Sequence, residues 1–188
     1  VREILHGTVL GDGYLEPHGR GVRLQVVHSA AQKAYAEWKH QELAFLNPSP
    51  LYYYAKAKYP FWRFVTRSDP YLIKLREVFY REGKKIVPDQ ISDLISTPQS
   101  LAVWFMDDGT LSKESGAVMF ETQAFSFEDI EKLRHCLWMN FGLQSRLHHS
   151  GRGRGLRLYV PVAEARKLTQ IIEPYMIATM KYKLPKSL

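Results

Sequence analysis

The sequence predicts an α+β fold in which one αββαββα unit is written twice. Three observations carry this. Ordered features recur after about 95 residues. Strand-like stretches alternate polar and apolar residues with a period of two. Amphipathic helix signals fall between the strand pairs at the same place in each half.

Each half opens with a short apolar segment closing in Asp-Gly, LHGTVLGDG at 5–13 and LAVWFMDDG at 101–109. Read as helices, they end at Gly13 and Gly109, residues free to take positive φ at a helix terminus. A strand follows, VRLQVVH at 22–28 and AVMFETQ at 117–123. The next helix shows Tyr35, Trp38, Leu43 and Leu46 at near-helical spacing in the first half. In the second, Ser126 serves as N-cap and Ile130, Leu133 and Leu137 form the apolar stripe. A hairpin comes next, from Leu51 to Arg67 turning near Tyr59-Pro60, and from Gln144 to Val160 turning through SGRGRG at 150–155. One face of the first hairpin must bury, so Tyr52, Tyr53 and Tyr54 are expected to pack. Final helices are expected over 70–82 and 162–173, the first opened by Asp69-Pro70 as N-cap and N1. Each half closes on a lysine shortly before a proline, Lys85 before Pro88 and Lys183 before Pro185. Asp12 precedes Lys85 by 73 residues (85 − 12) and Asp108 precedes Lys183 by 75 (183 − 108). The two repeats are expected to span 1–92 and 93–188. No Gly/Ser linker joins them, so they should pack rigidly.

Composition narrows the function. The chain has 188 residues, 45% hydrophobic and 24% charged, in the ordinary range for a folded globular protein. Its 26 Lys and Arg against 19 Asp and Glu leave a net charge of +7, which suits a polyanionic partner. Cys136 is the single cysteine, so no intrachain disulfide or multi-cysteine zinc site can form, and it is expected to pack on a helix. The N-terminal residues lack a signal-peptide layout, and no apolar run approaches membrane-spanning length. A membrane partner is not expected; nucleic acid remains.

The Asp-Gly ends point to chemistry. In the last turn of a helix Asp12 and Asp108 face the negative end of the dipole, a placement that costs roughly 0.3–1 kcal/mol. If the two opening helices pack side by side, both carboxylates meet at the interface of the halves. Gly7 and Gly11 would allow close approach from the first helix; Ala102 could serve in the second, where Val103 breaks the symmetry. Adjacent carboxylates near a basic surface suit a divalent metal, and Mg²⁺ takes few protein oxygens and fills the rest with water and phosphate.

These motifs resemble the paired signature of the LAGLIDADG homing endonucleases, in their monomeric two-motif branch. ETQAFSFE at 121–128 and YKLP at 182–185 carry the resemblance beyond the motifs, and it covers almost the whole chain. The first motif departs from the name-giving pattern at His6, Thr8 and Leu10. The acid that the family places two residues before the catalytic one is Leu10 and Met106 here. The resemblance implies a site-specific, metal-dependent double-strand DNA endonuclease acting as a monomer, hosted by an intron or intein. It implies that Asp12 and Asp108, with the backbone carbonyls of Gly11 and Asp107, bind Mg²⁺. Mn²⁺ would substitute, and Ca²⁺ would support binding without cleavage. Lys85 and Lys183 match active-site lysines and Gln123 a water-ordering residue. The first-half counterpart of Gln123 is taken as His28, with Gln25 and Ser29 as alternatives.

The family fold also implies a four-stranded antiparallel sheet in each half, the two forming a saddle over duplex DNA. Candidate contacts are Arg20, Arg23, Gln25, Lys56, Lys58, Arg63 and Arg67 in the first half, with Arg146, His148, Arg152, Arg154 and Arg157 in the second. Arg23 and Gln25 oppose Leu24 and Val26, and Arg157 alternates with Leu156 and Leu158. Lys56, Lys58, Arg63 and Arg67 are expected to alternate likewise. Arginine and glutamine can read base edges in the major groove, and lysine mainly meets phosphate. Two other functions stay open: a splicing maturase or regulator that binds without cutting, and a basic RNA-binding module.

Overall fold

The computed structural model describes residues 2–151 and 155–185. The first repeat runs α1 (Arg2–Leu10), β1 (Tyr14–His18), β2 (Gly21–Ser29), α2 (Lys33–Glu42), β3 (Tyr52–Tyr54), β4 (Phe61–Val65) and α3 (Pro70–Phe79). A small hairpin, β5 (Tyr80–Arg81) and β6 (Lys84–Lys85), follows. After a linking helix, α4 (Ile91–Leu94), the second repeat runs α5 (Pro98–Asp108), β7 (Gly109–Leu111), β8 (Val118–Phe120), α6 (Phe127–Phe141), β9 (Arg146–His149), β10 (Leu156–Val160) and α7 (Val162–Ile172). Two 3-10 segments, Glu173–Tyr175 and Ala178–Lys183, finish the described chain. The αββαββα unit is thus present twice, with helices and two four-stranded antiparallel sheets as expected.

The sheets have matching strand orders, β1-β2-β4-β3 and β7-β8-β10-β9. Tyr14 pairs with Gln25 and Thr110 with Met119, so the register offset between the repeats here is 94 (119 − 25). The same offset relates Arg63, paired with Val27, to Arg157, the residue before Leu158, which pairs with Phe120. Along β2, Val22, Leu24, Val26 and His28 are buried, whereas Arg23, Gln25 and Val27 are half-exposed. Helices cover the first face; the second stays open.

The opening helices α1 and α5 pack against each other and form the centre of a core that also holds Leu15, Phe64, Phe120 and Leu158. Their termini are specified locally. Thr97 caps α5 through a reciprocal box with Ser100, and Pro98 sits at N1. Asp69 caps α3 by accepting from the Tyr71 N–H at 2.7 Å, and Ser126 accepts from Asp129 N–H to cap α6. Gly142 closes α6 with φ 63°. Cys136 is buried on α6.

Several details differ from the expectation. The first closing helix stops at Phe79 rather than 82, because Glu82 (φ 50°) and Gly83 (φ 77°) turn the chain into the β5–β6 hairpin. Gly13 and Gly109 do not use positive φ. They are glycines for want of space: a Cβ on Gly13 would lie 2.5 Å from the Thr8 carbonyl oxygen, and one on Gly109 would lie 2.4 Å from that of Phe105. The expected boundary falls inside α4, which packs on α6; Asn140 donates to the Ser92 and Ile95 carbonyls. Tyr52, Tyr53 and Tyr54 are exposed, since β3 is a three-residue edge strand. Tyr53 stacks on Trp62 and Tyr54 on Phe61, leaving Tyr52 and Tyr54 on the open face with Arg63.

Candidate active site at the repeat interface

Glycines in α1 let the opening helices approach closely. A Cβ on Gly7 would come within 2.5 Å of the Ser100 carbonyl oxygen and 2.8 Å of Val103 Cβ. One on Gly11 would come within 2.5 Å of Asp107 Oδ2. The residues facing Gly7 and Gly11 are therefore Ser100, Val103 and Asp107, and Val103 rather than Ala102 packs into the space that Gly7 leaves. This contact brings the ends of α1 and α5 together and sets Asp12, Asp107 and Asp108 in one acidic group.

Each acid has its own surroundings. Asp12 lies just past α1 with 42% of its side chain exposed, so it can meet an incoming ligand. Asp108 accepts a hydrogen bond from Trp104 Nε1 at 3.0 Å, one turn back on α5. The Asp107 side chain is enclosed completely, and its oxygens accept from Tyr35 Oη at 2.8 Å, from Lys39 Nζ at 2.6 and 2.7 Å, and from the Asp12 N–H at 3.0 Å. Although its tip is accessible, the protein packed around Asp12 and the neighbouring Asp107 charge push its carboxyl up to about 6. Burial, with Asp107 and then Asp12, pushes Asp108 up to about 8. Crowded carboxylates of this kind lower their repulsion by taking a proton or a cation.

The two lysines arrive from matching places. Lys85, on β6, donates to the carbonyls of Gly11 (2.7 Å) and Gly13 (2.8 Å). Lys183 donates to the carbonyls of Met106 (2.7 Å) and Asp107 (3.0 Å). Each ammonium thus sits on the negative end of an opening helix, where a cation offsets the misplaced acid. The Gly11 and Asp107 carbonyls, expected as metal ligands, already serve these lysines. Burial draws the Lys85 ammonium down to about 8 and lowers Lys183 as well.

His28 and Gln123 are not equivalent. His28 lies on the helix-covered face of β2, buried, with Nδ1 3.6 Å from Asp12 Oδ2 and its ring 4.7 Å from that of Tyr35. Burial and Lys39 pull it down to about 3, so it is neutral and forms no ion pair with Asp12 at neutral pH. Among the described residues neither ring nitrogen has a hydrogen-bond partner. The offset of 94 makes Ser29 the counterpart of Gln123 (123 − 29) and Thr122 that of His28 (122 − 28). By position, then, Ser29 matches Gln123, whereas His28 is the residue beside Asp12. Gln123 itself donates to Glu121, and its backbone lies against Gly155; among the described residues no hydrogen bond ties it to either acid.

Asp12, His28 and Asp107 offer ligand atoms within 4.8 Å of one another, yet every oxygen of Asp107 is engaged. The free hard donors are on Asp12 and Asp108, and that donor set fits Mg²⁺ or Mn²⁺ better than a soft-ligand metal. Sequence reasoning missed Lys39, Tyr35 and the Asp107 side chain. The signal was present: Tyr35, Lys39 and Leu43 share one helical face, and Asp-Asp at 107–108 stands where the first repeat has Gly-Asp.

The open sheet faces hold part of the expected nucleic-acid contacts. Arg23 donates to Glu16 at 2.6 Å, and Arg157 lies 2.9 Å from Glu121. His148 stacks on Tyr159 with ring centroids 4.0 Å apart. Gln25, Arg63 and Arg146 share these faces through their register. Arg20 is in the β1–β2 turn. Lys56 and Lys58 occupy the β3–β4 connection, and Arg67 follows β4, so these three do not alternate within a strand. The Pro60 turn takes six residues, which carries both lysines off the sheet. Arg152 and Arg154 lie outside the described residues. No helix among the described residues is long and apolar enough to cross a membrane.

A model of the LAGLIDADG DNA endonuclease family matches residues 2–168. A Protein RecA from Mycolicibacterium chitae is 33% identical over 97% of this chain and 45% of its own length. Probable intron-encoded endonuclease 1 from Wickerhamomyces canadensis is 30% identical over 97% of this chain and 82% of its own. The cytochrome b mRNA maturase bI2 of Saccharomyces cerevisiae is 28% identical over 98% of this chain and 47% of its own. The chain spans about half the length of the RecA relatives it matches. Among solved structures, the homing endonuclease I-WcaI bound to its DNA recognition sequence superposes with a TM-score of 0.86 at 28% identity, covering all of this chain and 86% of that one. I-DmoI in complex with DNA and Mn shares the fold, with a TM-score of 0.56 at 12% identity over 94% of this chain and 97% of that one.

Proposed function

This chain belongs to the LAGLIDADG DNA endonuclease family, and we propose that it is a monomeric homing endonuclease that cuts both strands of a specific duplex site using a divalent cation. The observation that carries the reading is the pair of acids at the packed ends of α1 and α5, each with a lysine on the carbonyls of its own helix end. The proposed repeats are 1–92 and 93–188. The open faces of both sheets take the DNA, through Arg23, Gln25 and Arg63 on one side and Arg146, His148 and Arg157 on the other. I-WcaI, similar over this whole chain, is described as bound to its DNA recognition sequence.

Asp12 and Asp108 would hold Mg²⁺, with Mn²⁺ as a substitute and Ca²⁺ supporting binding alone. When bound, the cation supplies an acidified water and stabilises charge on the leaving oxygen. The protein's own part is positional and electrostatic. Helix packing fixes the spacing of the two carboxylates, and the enclosed Asp107 side chain holds the Asp12 N–H. Lys85 and Lys183 bring positive charge to where a phosphodiester would lie.

The maturase reading draws on the relatives named for it, 25–28% identical over 97–98% of this chain. Retention of both acids and both lysines favours cutting. The deciding experiment incubates the protein with a random duplex library and Mg²⁺ and sequences the cut ends. One recurrent site with both strands cut supports the endonuclease; specific retention of DNA or intron RNA without cut ends supports the rival.

A further inference from the structure

We propose that Lys39 is a positioning residue of this centre: through a buried ion pair that crosses the repeats, it withholds Asp107 from the cation and anchors Asp12. The inference rests on the endonuclease reading. Lys39 comes from α2 of the first repeat and Asp107 from α5 of the second, and both side chains are fully enclosed. The ammonium meets both carboxylate oxygens, at 2.6 and 2.7 Å. Tyr35 Oη and the Asp12 N–H occupy the remaining acceptor positions. Asp12 is therefore held by its backbone to an oxygen that Lys39 fixes.

The pair exists on one side of the pseudo-two-fold only. The counterpart of Asp107 is Gly11 (107 − 11 = 96, as 108 − 12). Lys39 corresponds to Leu133, since the buried set Tyr35, Ala36, Lys39 and Leu43 matches Asp129, Ile130, Leu133 and Leu137 at the sheet offset of 94. Where the second repeat has Leu133 in its core, the first has a cation. Where α1 has no side chain, α5 sends a carboxylate across the gap. The two departures from symmetry meet each other.

A buried carboxylate without its cation is strongly disfavoured. Without Lys39, Asp107 would be an uncompensated anion grouped with Asp12 and the unpartnered nitrogens of His28, within 4.8 Å. That group could take a cation behind the cutting site. With Lys39 present, Asp107 is neutralised and saturated, and cation ligation is left to Asp12 and Asp108. The two halves of the site then differ, since only Asp12 has this anchor.

The test compares wild type with K39M and with K39L/D107G, which copies the opposite repeat. Mn²⁺ binding to the free protein is measured by calorimetry, Tm by calorimetric scan, and strand cutting on supercoiled plasmid at saturating Mg²⁺. K39M is expected to bind Mn²⁺ more tightly than wild type while cutting about 10–100-fold more slowly. The double variant is expected to lose the extra Mn²⁺ binding and recover Tm, yet to accumulate nicked plasmid because Asp12 has lost its anchor. A K39M protein with lowered Tm but wild-type Mn²⁺ affinity and cutting rate would overturn the proposal. So would a double variant that cuts both strands at the wild-type rate; that variant decides the matter if K39M does not fold. A wild type that cuts no DNA sinks the endonuclease reading alone, because the Mn²⁺ comparison still reports whether Lys39 withholds Asp107.

Discussion

Asp12 and Asp108 are each crowded by Asp107 at a cost to stability, and that cost can be measured without any substrate. Their folded-state values, about 6 and about 8, lie above the ordinary 3.8. The folded chain therefore binds more protons than the unfolded chain between these limits. The stabilisation this gives is complete below about pH 3.8 and is lost as pH rises through 6 and then 8. D108N is accordingly expected to raise the Tm of metal-free protein at about pH 8.5, with the gain shrinking toward zero near pH 4. Equal Tm differences at both pH values would refute the crowding. K85A and K183A should give milder cutting defects than the Asp variants, since a lysine adjusts the charge of the site and does not hold the cation. Both acids and both lysines were legible because they recur at matched spacing. Lys39 was not, because a lysine on an apolar stripe becomes meaningful only when a carboxylate from another repeat arrives beside it. For the counterpart of Gln123, position along the strand favours Ser29 and contact with Asp12 favours His28.

The α1–α5 contact positions everything at the site. Gly7→Ala would drive a methyl group into the Ser100 carbonyl and Val103, and Gly11→Ala would press on Asp107, which Lys39 pins. Overpacking of this kind is expected to cost about 1–3 kcal/mol each, read from urea denaturation, and to weaken cutting more than DNA binding. Unchanged midpoints for both variants would mean that the helices can separate freely. Arg63 and Arg157 occupy equivalent places on the two open faces. Either Arg→Ala change should cost about 1–3 kcal/mol of binding and relax preference at one base pair, as read from a mutated-site panel. Uniform weakening across the panel would reassign that arginine to phosphate. The elements were legible where periodicity was long, as in β2 and α6, and where caps were explicit, as at Asp69 and Ser126. Short elements escaped: β3 has too few residues to show which face buries, and the β5–β6 turn at Glu82-Gly83 lies within a helical pattern.

The whole molecule carries +7 and presents basic residues on both open sheet faces. If roughly 6–10 phosphates are contacted, affinity should fall by about 10³–10⁵ between 50 and 200 mM salt. A nearly flat salt dependence would contradict a wide basic saddle. The protein is expected to act as one chain per site, because both halves of the two-fold are already present; sedimentation of the DNA complex tests this, and two chains per duplex would contradict it. The central claim is that Asp12 and Asp108 carry out cutting without carrying recognition. The measurement that tests it most directly places D12N and D108N, beside wild type, on supercoiled plasmid bearing the selected site in Mg²⁺, with target binding followed in Ca²⁺. The account predicts near wild-type binding by both variants and no double-strand cutting by either; full linearisation of the plasmid by either variant would contradict it.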